Sequence, residues 1–519
     1  MRKYILLLPV LIMSLPLFVQ SQQATKPNII FIFTDDLANR AISAYDGSIN
    51  KTPNIDRIAK EGAIFRNSFC GNSICGPSRA SILTGKQSHM NGVTGNASKW
   101  DSTRNDLLPL YLKNAGYQTA LIGKWHLNSN PGKAFDYWKI LIGAGRQGYY
   151  YNPDFVTSDG HYAMEMGYST DIITNHSINW LDQHATKDKP FMLFVQYKAP
   201  HVPRMPPLRL LGKYKNDFIP EPPTLLDDYA TRERYASEAK MPMPLNTWPP
   251  LLGEYDPSKN IYTARMTKDE LEAYHKYKDE ETKELHRLKA EGKLEGDALK
   301  KYAYQLFIKD YIRIVDAVDE NVGRILKWLD EHPAMKENTI VIFSSDQSYF
   351  TGEHGWAEKR FMYEEGMKMP LLMRWPAKIK PGTEVKALVQ NIDYAPTLIA
   401  AANLKVPGDM QGKSMLPLVT SKESDDWRKF VYYHYYDHGD HGVPRHDGIR
   451  NNRYKLIHFY TDDRYEMYDL EKDPNEIKNV YNDETYKKTT EELKKELIAL
   501  RKKYDVPQNI FSPPYQPKR

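Results

Sequence analysis

Four short apolar runs, each ending in polar residues of chemical interest, constrain this 519-residue chain more than any other feature. "PNIIFIFTDD" runs into Asp35 and Asp36, and "YQTALIGKWH" into Lys124 and His126. "PFMLFVQYKAPH" runs into His201, and "NTIVIFSSDQ" into Asp346 and Gln347. The runs are β-branched or aromatic and lack strict alternation, which fits strands buried on both faces of a largely parallel sheet. Helical patterns separate them: "TPNIDRIAKEG", "DLLPLYLKNAG", "YSTDIITNHSINWLDQH" and the long amphipathic "LFIKDYIRIVDAVDENVGRILKWLDEH". Alternating strands and helices predict an α/β fold, a large doubly wound mixed sheet sandwiched by helices. In such sheets functional groups gather beyond the carboxyl ends of the strands, where all four polar clusters fall.

Two regions break the rhythm. Residues 204–300 begin Pro-rich ("RMPPLRLLG", "PEPPTLL", "MPLNTWPPLLGEY") and end in a charged helical stretch. They read as an insertion over the sheet edge or site rim, the charge run being a solvated helix face. From about 425 to 519, "FVYYHYYDH", "HDGIRNNRYKLIHFY" and "RYEMYDLEKDP" read as antiparallel strands, followed by a final amphipathic helix. This predicts a smaller C-terminal α+β subdomain after a main domain spanning 24–424.

The first residues, "MRKYILLLPVLIMSLPLFVQSQQA", place Arg2 and Lys3 before an apolar run and small residues after it. That is the pattern of a secretory signal peptide over 1–23, with cleavage near Ser21 to Ala24. Pro9, Pro16 and the short apolar length argue against a membrane anchor. The expectation is an exported chain, periplasmic or extracellular, with no membrane partner. A net charge of +5 without a long Lys/Arg run excludes a nucleic-acid tail. Two cysteines in a chain of this size do not make a disulfide framework.

Both cysteines lie in "CGNSICGPSRASILTGK". Pro77 fits a first helical turn and Gly85 a stop, so Cys75 sits at or just before a helix N-terminus. Exposed amides there favour an anion. Cys70 and Cys75 as a small disulfide, Cys75 as a buried thiol, and Cys75 as a cysteine-hydrolase nucleophile all remain open on the residues alone. Asp35, Asp36 and Asp346 would converge on one sheet edge, and three close carboxylates repel unless a cation lies among them. Oxygen ligands suit Ca²⁺ or Mg²⁺ rather than zinc. A turn or helix cap is the plainer reading of an Asp pair after a strand. Likewise Arg79, Lys124, His126, His201 and Lys359 each admit a purely structural role.

Cys-x-Pro-Ser-Arg followed by Leu-Thr-Gly resembles the signature of type I sulfatases of the alkaline phosphatase superfamily. The resemblance runs from Pro27 to about Tyr481 and includes "TDD", "GKWHL", "KAPH", "SSDQ", "GEHGWAEKR" and "YDLEKDP". It implies that a formylglycine-generating maturation enzyme converts Cys75 to Cα-formylglycine. It implies one Ca²⁺ held by Asp35, Asp36, Asp346, Gln347 and the modified Cys75. The commonest family pattern has Asn-Gly where this chain has Gln347-Ser348, which lengthens one ligand arm by a methylene. The implied chemistry is covalent, with Arg79 and Lys124 holding a hydroxyl of hydrated formylglycine as it attacks sulfur. His201 or Lys359 then protonates the leaving alcohol, and His126 helps the second hydroxyl expel sulfate. Cys70, outside the signature, reads as a packing residue.

The substrate is expected to be a sulfated carbohydrate. The segment "YYHYYDHGDHGVPRHDGIRNNRYKLIHFY", like "RQGYYYNPDFVTSDG", is similar to bacterial N-acetylglucosamine-6-sulfatases. Candidate sugar contacts are Arg360, His434, His446, Asp447 and Arg450, against the alternative of a tyrosine-rich sheet merely packing on the main domain. Sulfated galactose or N-acetylgalactosamine (4-O or 6-O) is the neighbouring expectation. A phosphodiesterase or phosphonate hydrolase of the same superfamily is a second, and an idle glycan-binding site a third.

Overall fold

The computed structural model describes residues 26–186, 188–243, 260–420 and 426–511. The expected signal peptide lies outside the described residues, as does most of "MPLNTWPPLLGEY". No helix among the described residues is long and apolar enough to cross a membrane.

The four apolar runs form adjacent parallel strands, Thr339–Ser345, Asn28–Thr34, Phe191–Gln196 and Gln118–Gly123, in that spatial order. They are the centre of a ten-stranded mixed sheet. On one side Leu371–Arg374 and Ala63–Phe65 add antiparallel, and Thr383–Val385 closes that edge. On the other, Tyr137–Ile142 continues the parallel set, and Asp154–Thr157 and Tyr162–Met164 turn back.

Burial on both faces follows from the pleat, because successive side chains point to opposite sides. Ile29, Phe31 and Phe33 join one core with Ile82, Leu83, Leu108, Leu112 and Leu398 from the helices Cys75–Thr84, Leu108–Asn114 and Tyr394–Ala401. Ile30 and Ile32 join the other with Ile55, Ile58, Ile172, Trp180 and Ile314 from Pro53–Lys60, Ser169–His184 and the 36-residue helix Gly296–Glu331.

The insertion carries the charged helix Lys268–Ala290, whose start is held by a reciprocal Thr267–Glu270 capping box. The insertion also meets the segment that follows the strand Thr339–Ser345, where Tyr229 donates its hydroxyl hydrogen to the His354 carbonyl (2.5 Å). The second sheet is antiparallel, Val431–Tyr435, His446–Arg450, Tyr454–Phe459 and Arg464–Asp469. One of its faces meets Leu493, Leu497 and Leu500 of the helix Lys487–Lys503. The other turns Val431, Tyr433, Tyr435 and Phe459 into the main core.

Strand register sets where the site lies. Thr34 is level with Ser345, and Phe33 and Gly123 are both level with Gln196. The residues that follow therefore emerge at one level. Gly123 has φ +116°, and a Cβ there would lie 1.9 Å from the Gln196 carbonyl oxygen. Gly123→Ala is therefore expected to cost about 2 kcal/mol or more of unfolding free energy. Denaturant titration checks this, and an unchanged midpoint would contradict it.

Candidate active site

Asp35, Asp36 and Asp346 leave the two central strands fully buried, and each offers an oxygen within 4.8 Å of the others. The main chain helps, since Asp36 N–H donates to Asp346 Oδ1 (3.2 Å) and Asp36 adopts φ 64°. Burial raises the Asp36 carboxyl, and Lys359 opposes that shift. Three basic side chains answer the three acids. Lys359 Nζ lies 2.7 Å from both oxygens of Asp36. Lys124 Nζ contacts Asp35 Oδ2. Arg79 reaches Asp346 Oδ2 through Nε (3.1 Å) and Asp35 Oδ2 through Nη2 (3.5 Å). Its Nη1 is spent on Gln196 Oε1 (2.7 Å) and the Lys124 carbonyl (2.9 Å), which fixes the guanidinium plane. Against burial, Asp36 holds the Lys359 ammonium above its ordinary range.

The helix Cys75–Thr84 starts at Cys75, with extended Ile74 as its cap and left-handed Gly85 (φ 66°) as its stop. It aims Cys75 Sγ at Asp35 Oδ1, 3.3 Å away. Burial pushes the Cys75 thiol up to about 12. Both cysteines are free. Cys70 contacts Ser73 Oγ (3.2 Å) and the Met367 carbonyl (3.5 Å), as a packing residue does.

The donor set fits a hard divalent cation. Its oxygens are the three buried carboxylates, and a fourth is available on Gln347. That side chain lies between Asp36 and Cys75, its Nε2 on Asp36 Oδ1 and 3.7 Å from Cys75 Sγ, while its Oε1 is buried without a hydrogen-bond partner among the described residues. A half-turn of the amide would present Oε1 to the centre of the acids. Cys75, Asp35 and His201 form a second close group, but a thiol raised to about 12 is a poor thiolate ligand. Burial lowers Lys124 well below its ordinary range, while Asp36 holds Lys359 above it. A divalent ion among the acids would add positive charge to the centre, suited to an anion.

His201 lies at the reacting side, one of its ring nitrogens within 4.8 Å of Cys75 Sγ. Its Nδ1 is 2.7 Å from the Val202 carbonyl, which makes Nδ1 the protonated nitrogen and turns Nε2 toward Asp36 (3.8 Å). Burial, with Lys124 and Lys359 nearby, lowers its pKa and keeps it neutral. His126, at φ 54°, is also held neutral by burial and by Lys124 and Arg79.

Sequence reasoning missed three neighbours. Lys198 is buried, donates to the Val202 carbonyl (3.0 Å), and is lowered by burial to about 7. Tyr150 donates to the His201 carbonyl (2.7 Å). Gln147 contacts both Lys124 and His126. Lys198 sits in the quoted "KAPH" run and the other two in "RQGYYY", so composition near the motifs was their only signal.

The sugar-contact candidates separate. Arg360, at φ 97°, sits beside Lys359 and pairs with Glu358 and with the half-exposed Asp440 (2.7 Å), so it stays near the rim. The other four are buried, within the second sheet or where it packs on the main domain, and are already engaged in pairing and packing. His434 lies between the Tyr432 and Tyr460 hydroxyls (2.8 and 3.1 Å) and stacks on Tyr436. The His446 ring packs among Phe361, Tyr433, Tyr435 and Phe459. Asp447 takes two bonds from Arg501 (2.7 and 2.6 Å), and Arg450 takes both oxygens of Glu364 (3.1 Å each). Burial would raise the Asp447 carboxyl, but hydrogen bonds from His458 and Arg501 hold it below the usual range.

A nucleophile position at a helix start, buried among paired acids and cations at the ends of parallel strands, defines an ester hydrolase of the sulfatase kind. The chain belongs to the sulfatase family, whose model matches residues 27–404. A second model, the C-terminal region of N-sulphoglucosamine sulphohydrolase, matches residues 352–503. The chain is 44% identical to an N-acetylglucosamine-6-O-sulfatase of Bacteroides thetaiotaomicron over 515 residues, 96% of this chain and 91% of that one. A solved structure described as bound to its substrate D-glucosamine-2-N,6-O-disulfate superposes with a TM-score of 0.89 at 43% identity. It covers 94% of this chain and 99% of its own. A phosphonate monoester hydrolase of Agrobacterium radiobacter shares the fold, at 22% identity and a TM-score of 0.64 over 92% of this chain and 96% of its own.

Two predictions follow from the second sheet's interior. Arg501→Ala removes the guanidinium from a buried carboxylate, leaving it only the Tyr432 hydroxyl and His458, and should destabilise the protein by about 3 kcal/mol while substrate KM stays unchanged. A raised KM at undiminished stability would return Asp447 to the substrate. Burial holds His434 and His446 down to about 3 and about 4, below the free imidazole. Their neutral forms therefore support the fold fully above about pH 6.5, and that support is lost as pH falls from there toward 4. Unfolding free energy measured across that window should decline, and His446→Phe should flatten the slope by about one proton.

Proposed function

We propose that the chain is an exported carbohydrate O-sulfatase acting on the 6-O-sulfate of N-acetylglucosamine or a related glucosamine residue. In this reading Cys75 is matured to Cα-formylglycine and one Ca²⁺ is held by Asp35, Asp36, Asp346 and Gln347. The observation that carries it is Cys75 at the start of a fully buried helix, 3.3 Å from an acid cluster ringed by Arg79, Lys124 and Lys359. The full-length likeness to an N-acetylglucosamine-6-O-sulfatase supports the sugar and position. Arg2, Lys3 and the apolar run after them support export.

The matured side chain would supply a hydroxyl nucleophile, and the ion would offset charge on the sulfate oxygens. The remaining roles belong to the chain. Arg79, locked by Gln196 and the Lys124 carbonyl, holds a fixed positive edge toward the sulfate. Lys359 is a lasting cation and already carries the proton a leaving oxygen needs. His201 is neutral at rest, so it must gain a proton before it can give one. Burial of the whole cluster excludes bulk water and strengthens each of these interactions.

Protein purified from its own source should release sulfate from N-acetylglucosamine-6-sulfate faster than from galactose-6-sulfate or N-acetylgalactosamine 4- and 6-sulfates. It should outpace hydrolysis of an aryl phosphodiester. Mass spectrometry of residues 70–86 should show the aldehyde at position 75. Arg79→Ala and Lys359→Ala should each lower kcat by about 100-fold or more. Chelation should abolish activity and lower Tm, with Ca²⁺ restoring both. Intact cysteine in active protein, or faster phosphodiester cleavage, would overturn the reading.

A further inference from the structure

Asp36 follows its strand with a left-handed backbone (φ 64°), a conformation that costs a non-glycine residue and persists only where its surroundings hold it. The hydrogen bonds of the turn show what holds it. Asp35 N–H donates to the Ala199 carbonyl (3.1 Å), Asp36 N–H to Asp346 Oδ1 (3.2 Å) and Leu37 N–H to Ser345 Oγ (3.1 Å). Two further backbone groups converge on one side chain. Tyr311 donates its hydroxyl hydrogen to the Asp36 carbonyl (2.6 Å), and its oxygen accepts from Ala38 N–H (2.8 Å).

Tyr311 lies on the helix Gly296–Glu331 and is fully buried. Its ring is fixed independently of those two bonds. It stacks on Phe307 and Tyr349, with centroids 5.9 and 6.2 Å apart. The Arg204 guanidinium lies over all three rings, 4.5–5.6 Å from their centroids. A hydroxyl carried by a ring packed in this way gives up little further freedom when it makes its bonds. Tyr349 extends the same stack toward Lys359, whose Nζ is 5.7 Å from its centroid.

We propose that Tyr311 is a positioning residue for the divalent cation: by clasping the Asp36 carbonyl and the Ala38 amide, it holds the turn that keeps the Asp36 carboxylate beside those of Asp35 and Asp346 before any ion arrives. The inference rests on the Ca²⁺ reading for its ligand, while the clasp itself is a feature of the protein. Tyr311 acts on the ion only through the backbone of Asp36.

The test compares matured wild type with Tyr311→Phe, which keeps the ring stack and removes the hydroxyl. Tyr304→Phe is the control. Tyr304 is equally buried, two turns earlier on the same helix, and its hydroxyl donates to the Pro220 carbonyl (2.6 Å) instead of the acid turn. Both changes should lower the Tm of the chelated protein. Calorimetric titration of Ca²⁺ into the chelated proteins should give a Kd raised about tenfold or more in Tyr311→Phe and within about threefold of wild type in Tyr304→Phe. A lowered Tm in both variants with Kd unchanged in both would show packing alone and sink the proposal. Should Tyr311→Phe not fold, amide exchange on chelated wild type carries the test. Ala38 should then exchange far more slowly than a free peptide, and exchange at the free-peptide rate would refute the clasp. Wild type that bound no Ca²⁺ would remove the metal reading and this inference with it, whereas an unchanged Kd in Tyr311→Phe would remove the inference alone.

Discussion

The parallel pairing of Asn28–Thr34 with Thr339–Ser345 is the constraint on which the rest depends. With Thr34 level with Ser345, the chain places Asp35, Asp36 and Asp346 at one point and buries all three. Three ionised carboxylates removed from water repel one another and are costly without compensation. Arg79, Lys124 and Lys359 come from a helix, a strand end and a loop far apart in sequence to provide it. The basic side chains proposed to act on the substrate are thus also structural: the fold cannot bring the acids together without bringing them too.

The second sheet braces this arrangement. His434 N–H donates to the Gly71 carbonyl (2.9 Å), and the Tyr433 hydroxyl donates to the Arg360 carbonyl while accepting from Ser73 N–H (3.3 Å). The segment before Cys75 and the segment carrying Lys359 are therefore held by neighbouring residues of one strand. Many side chains of that sheet are occupied in packing and pairing, while Arg360, outside it, pairs with the half-exposed Asp440.

Much of this was legible before the fold was known. Apolar runs that stop at charged residues marked the strand ends, because a buried strand cannot continue through an unpaired charge. Pro77 and Gly85 bracketed the Cys75 helix through backbone preference alone. The failures are equally physical. His, Asp and Arg in "HYYDHGDHGVPRHDGIR" have the chemistry of sugar contacts, and the same chemistry makes internal pairs. What decides for Asp447 is Arg501, 54 residues further along and on a helix whose docking no local pattern specifies. Gln147 and Lys198 were missed for the related reason that an amide or a lysine beside a motif has no periodicity of its own.

Cys70 and Cys75 are the chain's only thiols, and both are buried and pushed up to about 12. At neutral pH neither offers a thiolate, and neither meets solvent. Unmodified, the folded chain is therefore silent toward alkylating reagents and mild oxidants. Any sulfhydryl that becomes titratable signals that the sheet and the helix it carries have come apart.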